Sequence, residues 1–214
     1  MKNLARNLLT EAEQQRLKNC VADVEKKTSG EIVPVIASMS SDYARAAALT
    51  TLLLGLALSI PGALILGMTA MWSYLIVFLG GYLVAMLLVR LYPVLMGPFL
   101  SNHEKTAEVH KAAAINFHAH GLHRTRDLTG ILIYVSVYER RVAVLADSGI
   151  DAKVDPGVWQ EVVDMVTDGI RSGQAPDALC RAVARCGELI TAHFPVRPDD
   201  VDELPNLIVD GVSK

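Results

Sequence analysis

The stretch Ala46–Val89, AAALTTLLLGLALSIPGALILGMTAMWSYLIVFLGGYLVAMLLV, holds no Asp, Glu, Lys or Arg. The chain has 214 residues with 20 basic and 23 acidic side chains, so an even spread would put about nine charges there. A buried core helix has no need of so long an uncharged run. Two membrane spans of about 20 residues, joined by a tight turn, do need it. The spans are expected at about 46–66 and 71–92, with the break near Gly67, Met68 and Thr69. Trp72 and Tyr74 open the second span, and Tyr82, Arg90 and Tyr92 lie toward its other end, as in an interfacial belt. Pro61 and Gly62 fall inside the first span, where membrane helices tolerate them. Gly80–Gly81 offers a place for the two helices to approach closely. The alternative is a long hairpin buried in a soluble protein, but neither segment has the polar face such a hairpin needs.

Outward from the hairpin, the flanks carry Lys26, Lys27 and Arg45 on one side and Arg90, Lys105 and Lys111 on the other, while the turn carries none. Lys/Arg bias toward the cytoplasm then places both termini there, in a two-pass protein of the inner or plasma membrane. The hairpin returns the chain to the face it left. Residues 1–45 and 101–194 are therefore expected to build one soluble domain around an insert at 46–100, and 195–214 to form an acidic, flexible tail. The lipid bilayer is the first expected partner. A net charge of −3 and a mean hydropathy of +0.32 exclude a basic nucleic-acid-binding domain, a disordered chain and a purely soluble protein. No apolar h-region follows Met1, so a signal peptide is not expected. Three cysteines, Cys20, Cys180 and Cys186, make no disulfide framework. Cys20 and Cys180 fall in helical patterns and read as small apolar residues in a reducing compartment.

In the soluble part, Thr10-Glu11-Ala12-Glu13 is a capping box, followed by Leu17, Val21 and Val24 at helical spacing and a stop at Ser29-Gly30. The run Ile32–Ala37 is a strand, and Pro34 assigns it to an edge or a bulge. Glu104 to Gly121 reads as a helix with Ala107, Ala114 and Phe117 on its apolar stripe. Gly130–Val137, apolar on both faces, reads as a central strand. A turn at Tyr138-Glu139-Arg140 leads to a second strand at Arg141–Ala146, so the pair is a hairpin. Asp155-Pro156 opens a helix carrying Trp159, Val162, Val163, Val166 and Ile170. After Gly173, Pro176 opens a last helix carrying Leu179, Ala182, Val183, Cys186 and Ile190, and Pro195 stops it. A small sheet covered by helices follows.

The segments Thr28-Ser29-Gly30-Glu31-Ile32-Val33, Thr129-Gly130-Ile131-Leu132-Ile133-Tyr134-Val135, Glu139-Arg140-Arg141-Val142 and Ala146-Asp147-Ser148-Gly149-Ile150 resemble the TPM domain. That family includes thylakoid photosystem-repair proteins and many bacterial membrane-associated proteins, some with two spans between the first strand and second helix. The resemblance covers about residues 10–194. It implies a Rossmann-like α/β/α sandwich with a small mixed sheet. It also implies divalent-cation binding, chiefly calcium, and in some members weak acid phosphatase activity. Asp127 and Asp147 occupy places comparable to acidic positions of the family.

Hairpin geometry gives a related expectation from the residues alone. With the turn at Glu139–Arg140, Ile131 pairs near Ser148, and Asp127, Asp147, Asp151 and Asp155 gather at the open end. Such carboxylates, with nearby carbonyl oxygens, are candidate ligands for a hard cation. The bland alternative has Asp155 as a helix cap and the others solvated. His103, His110, His118, His120 and His123 form a second cluster. His120 and His123 are candidate transition-metal ligands, and they share a face only if the helix continues past Gly121. Surface histidines are the alternative. No P-loop, dinucleotide turn, nucleophile elbow or zincin motif occurs, so no catalytic residue is assigned. Arg140-Arg141 at the hairpin tip is a candidate contact for anionic lipid or a partner. The leading expectation is a non-enzymatic, membrane-anchored TPM-type accessory, assembly or binding module for another membrane protein, with a cation site at Asp127 and Asp147. The competing one is a membrane-bound, metal-dependent phosphatase.

Overall fold

The computed structural model describes residues 4–67, 70–155, 157–196 and 204–210. Pro156, Met68, Thr69 and the tail residues Pro198, Asp199, Asp200, Asp202 and Glu203 lie outside them. Two compact units emerge. One comprises the described residues up to Ser41 and from Lys105 onward, and the other is Asp42–Glu104.

The first unit opens with α1 (Leu4–Leu8) and α2 (Glu11–Glu25), then β1 (Glu31–Ala37). The Thr10 capping box is present in full: Thr10 accepts from the Glu13 N–H, and the Glu13 carboxylate accepts from the Thr10 N–H. α5 (Asn102–Ala119) ends where Gly121 takes φ +77°, a left-handed conformation that glycine adopts without penalty. β2 (Gly130–Ser136), β3 (Arg141–Ala146), a single-turn α6 (Ser148–Asp151), α7 (Gly157–Arg171), α8 (Ala175–Thr191) and a short β4 (Ile208–Val209) complete it.

The sheet order is β3-β2-β1-β4, with β1 parallel to β2 and β4 and β2 antiparallel to β3. Period-2 alternation sorts the side chains onto two faces. Ile32, Ile36, Ile131, Ile133 and Val135 face α2, α7 and α8. Val33, Val35, Leu132, Tyr134 and Ala143 face α5 through Val109, Ala112, Ala113 and Phe117. The expected stripes of α7 and α8 all join the first of these cores. Burying each such aliphatic side chain contributes roughly 1.5–3 kcal/mol, so these two layers hold the α/β/α sandwich together.

Five local expectations need correction, the first on α5, where Ala107 and Ala114 are exposed and the apolar stripe is Val109, Ala112, Ala113 and Phe117. The β2–β3 hairpin pairs Ile131 with Ala146, not Ser148, because a four-residue turn, Val137–Arg140, joins the strands. A slip of two residues leaves every side chain on its expected face. Residues 204–210 are not a free tail: Ile208 and Val209 pair with Val35 and Ile36, and Asp210 accepts from the Ser38 hydroxyl and pairs with Arg6. β1 is therefore interior by order. Pro34 is still tolerated there, because Glu31 donates toward β2 and alternation turns position 34 toward β4, which reaches only Val35 and Ile36. Finally, Cys20 and Cys180 form a disulfide across α2 and α8, with Cα atoms 5.7 Å apart. Counting three cysteines could not reveal two helices meeting after 160 residues of chain.

The second unit is a pair of helices, α3 (Ala44–Ile65) and α4 (Met71–Leu91), followed by a 3-10 segment, Pro93–Phe99. Both helices are long and apolar enough to cross a membrane, and only 28% and 11% of their most apolar windows are buried. Leu64, Ile65, Met71, Trp72 and Ile76 face outward, unlike the side chains of a soluble core helix. Small residues make the helix contact. A Cβ on Gly55 would lie 3.2 Å from the Tyr82 backbone, and one on Gly81 would lie 3.2 Å from the Gly55 carbonyl. Gly80 faces open space instead.

Candidate functional site

The parallel pair β1–β2 gives the first unit two distinct ends. At the amino end lie the expected ligands. Asp147 terminates β3 and caps α6, its Oδ1 accepting from the Ser148 N–H at 2.7 Å and the Ser148 hydroxyl at 3.2 Å. Its Oδ2 is buried without a hydrogen-bond partner. Asp151 accepts from Trp159 Nε1 at 3.2 Å, and Asp155 accepts from the Gly157 N–H at 2.8 Å, an N-cap to α7. Asp127 lines a shallow recess with Ser29, Gly149, Lys153 and His193. The backbone there fits tightly around Gly149, where a Cβ would lie 2.5 Å from the Asp127 carbonyl oxygen and 2.6 Å from that of Leu128. Gly149→Ala is thus expected to destabilise the unit by about 2–3 kcal/mol through a clash with backbone, read as a drop in thermal midpoint. A midpoint within a degree of wild type would show that the loop yields.

These carboxylates do not assemble. Among the described residues no three of His, Cys, Asp and Glu come together in a way that holds a metal ion. Two of the expected ligands already serve local hydrogen bonds, and Lys153 brings a cation into the recess. The set does not fit a hard cation, which wants several free oxygens, so no chemistry is derived through one. The histidines also pair otherwise than by helix spacing. Because Gly121 ends α5, the His118 and His123 rings meet at 4.8 Å. His120 Nε2 and His123 Nδ1 are buried without hydrogen-bond partners. Burial holds His120 below the usual histidine pKa, which favours its neutral form.

The carboxyl end of the parallel strands is where open α/β sheets place their ligand crevices. Sequence reading missed the polar cluster found there. The chain leaving β1 brings Ser40 against Ser136, the last residue of β2, and Glu139 of the turn that follows. Glu139 Oε1 accepts from the Ser40 N–H at 3.0 Å, and Oε2 accepts from the Ser136 hydroxyl. The Ser40 hydroxyl donates to Ser136 Oγ at 2.9 Å and lies 3.3 Å from the Tyr134 hydroxyl. All four side chains are buried. Burial, offset in part by the Ser40 contact and reinforced by the Glu139 charge, pushes the Tyr134 phenol above its ordinary pKa. The cluster fixes the end of the hairpin turn. The one available signal was a polar residue, Ser136, closing an otherwise apolar strand. Cys186 offers no chemistry: it is fully buried on α8, and burial pushes its thiol up to about 12.

The model of the TPM domain family matches residues 98–189, from the end of the 3-10 segment to the last turn of α8. The chain is similar in structure to the BA42 protein from the psychrophilic bacterium Bizionia argentinensis, solved by NMR. The TM-score is 0.56 and the identity 21%, with 94% of each chain covered. At that identity the likeness shows a shared fold. No curated protein matches the chain significantly.

Proposed function

We propose, taking the TPM domain over residues 98–189 as premise, that the chain is a membrane-anchored TPM-type accessory and binding module. The single observation that carries this is the pair of apolar helices inserted after β1, with Leu and Ile side chains turned outward along both. In water that surface is a liability, while in lipid it is an anchor. The soluble unit is read on the cytoplasmic face of an inner or plasma membrane, on the strength of the Lys and Arg residues flanking the hairpin and their absence from its turn. Its partners are then the bilayer and a neighbouring membrane protein. The competing phosphatase reading needs a cation held by Asp127, Asp147 and Asp151, and it is less favoured because among the described residues no three such groups come together to hold one.

Two experiments test this. Alkaline carbonate washing of membranes is expected to leave the full chain in the pellet. The double variant Leu53→Arg/Leu79→Arg puts two charges on outward-facing positions, at roughly 3 kcal/mol each in the bilayer centre, and is expected to move much of the chain to the supernatant. Release of the wild-type chain would sink the anchor. For the chemistry, purified full chain with a generic phosphomonoester is expected to show no turnover that EDTA abolishes. Metal-dependent turnover lost in Asp127→Ala would establish the enzyme instead.

A further inference from the structure

Beside the buried cluster, at the carboxyl end of β2, lies a cleft of about 480 Å³, within the size range of small-molecule sites. Its floor is apolar, made by Leu8 of α1, Val135 and Val142 of the hairpin, and Ile170 of α7. Its rim is basic. Arg140 reaches it from the β2–β3 turn and Arg171 from the last turn of α7, with Thr167 one helical turn earlier. Among the described residues no acidic side chain lines it. Arg141 also borders the cleft, but its pairing with Ser136 places its side chain on the opposite face of the sheet.

Two details make this more than a charged surface. Arg140 sits at φ +53°, a left-handed conformation that costs a residue with a Cβ on the order of 1 kcal/mol, and such outliers gather where a side chain is being aimed. Arg171 makes an exposed ion pair with Asp168 at 3.5 Å, both side chains about three-quarters exposed, a contact worth little and readily exchanged for a ligand. The two guanidinium groups can thus converge on one planar anion over an apolar floor. The anion's class follows from what is absent. Among the described residues no helix N-terminus lines the cleft, and the helix end beside it is the C-terminus of α7, whose dipole disfavours any anion and a doubly charged one most.

We propose that this cleft binds a small-molecule carboxylate carried on a short apolar body, the carboxylate between Arg140 and Arg171 and the body against Val142 and Ile170. The site is independent of the membrane anchor and of any cation.

The test titrates the full chain in neutral-lipid nanodiscs with phenylacetate, and with benzyl alcohol and phenyl phosphate as comparators, following amide shifts of the cleft residues. Phenylacetate is expected to bind and to weaken with added salt, benzyl alcohol to bind at least tenfold less well, and Arg140→Gln/Arg171→Gln to lose at least tenfold in affinity. Arg140→Gly separates binding from architecture. Glycine relieves the positive φ, so its thermal midpoint is expected to rise while its phenylacetate affinity falls. Binding unchanged in both variants, or no binding of phenylacetate at millimolar concentration, overturns the site. Phenyl phosphate binding more tightly than phenylacetate overturns the carboxylate assignment.

Discussion

Glu139→Ala is expected to lower the stability of the soluble unit by about 3 kcal/mol, one of the largest effects of any single side chain away from the aliphatic core. Glu139 is 5% exposed and accepts from both the Ser40 N–H and the Ser136 hydroxyl. Removing it leaves two buried donors without their acceptor, each worth roughly 1–3 kcal/mol. Those donors lie 96 residues apart in the chain, at the end of the β1–β2 pairing. The loss therefore also loosens the point where the segment before the hairpin helices meets the segment after them. Glu139→Gln keeps one acceptor for Ser40, and the hydroxyls can reorient, so about 1 kcal/mol is expected. Urea unfolding of the detergent-solubilised full chain measures both. In a Trp72→Phe background the signal reports Trp159 of α7 alone. A shift below 1 kcal/mol for Glu139→Ala would mean that water replaces the carboxylate, and that the cluster is not what holds the turn.

The contrast between Glu139 and the helical stripes shows what the sequence made legible. The Thr10 capping box, the Val162–Val166–Ile170 stripe and the apolar strand expected at Gly130–Val137 are local patterns with short periods, and each forms, the strand ending one residue earlier at Ser136. The hairpin helices were legible for the same reason: an unbroken uncharged run needs no partner to be recognised. What was not legible depends on meetings between distant segments. Ser40 and Glu139 are ordinary loop residues, and Ser136 an ordinary strand end, until β1 and β2 lie side by side. Ile208 and Val209 are two apolar residues in an acidic stretch, and only the open edge of β1 makes them a strand. At the amino end, hairpin geometry gathers Asp127, Asp147, Asp151 and Asp155 but says nothing of their local bonds: Asp147 and Asp155 accept from N–H groups at helix starts, the alternative reading of Asp155, and Asp151 holds an indole. Short polar side chains at helix starts are more often used locally.

Reduction of the Cys20–Cys180 bond is expected to lower the soluble unit's stability by about 4–5 kcal/mol. In the chain-entropy account a cross-link removes loop freedom from the unfolded state in proportion to the logarithm of the loop length. The bond closes a separation of 160 residues. When the soluble unit unfolds, α3 and α4 stay paired if they remain in lipid, which shortens the flexible loop to roughly 110 residues, and the logarithm changes the result by only a few tenths of a kcal/mol. The native contact beneath the bond does not need it: Gly187 packs directly on Val24, and Arg16 pairs with Asp177 at 2.8 Å. Reduced protein should therefore keep its fold and lose stability, seen as a lower urea midpoint with a slope no smaller than before, because the unlinked unfolded chain exposes more surface. The same pair also reports the membrane face. Thiol-buffered compartments keep such cysteines reduced, so with the soluble unit on the cytoplasmic face Cys20 and Cys180 are expected to be trapped as thiols by a membrane-permeant alkylating reagent in intact cells, and to bond once the chain is purified under air. A pair found already bonded in living cells would turn the soluble unit to the opposite face and overturn the reading from Lys26, Lys27, Arg45 and Arg90. A urea midpoint indifferent to reduction would instead leave the topology untouched and show that α2 and α8 are held by their packing alone.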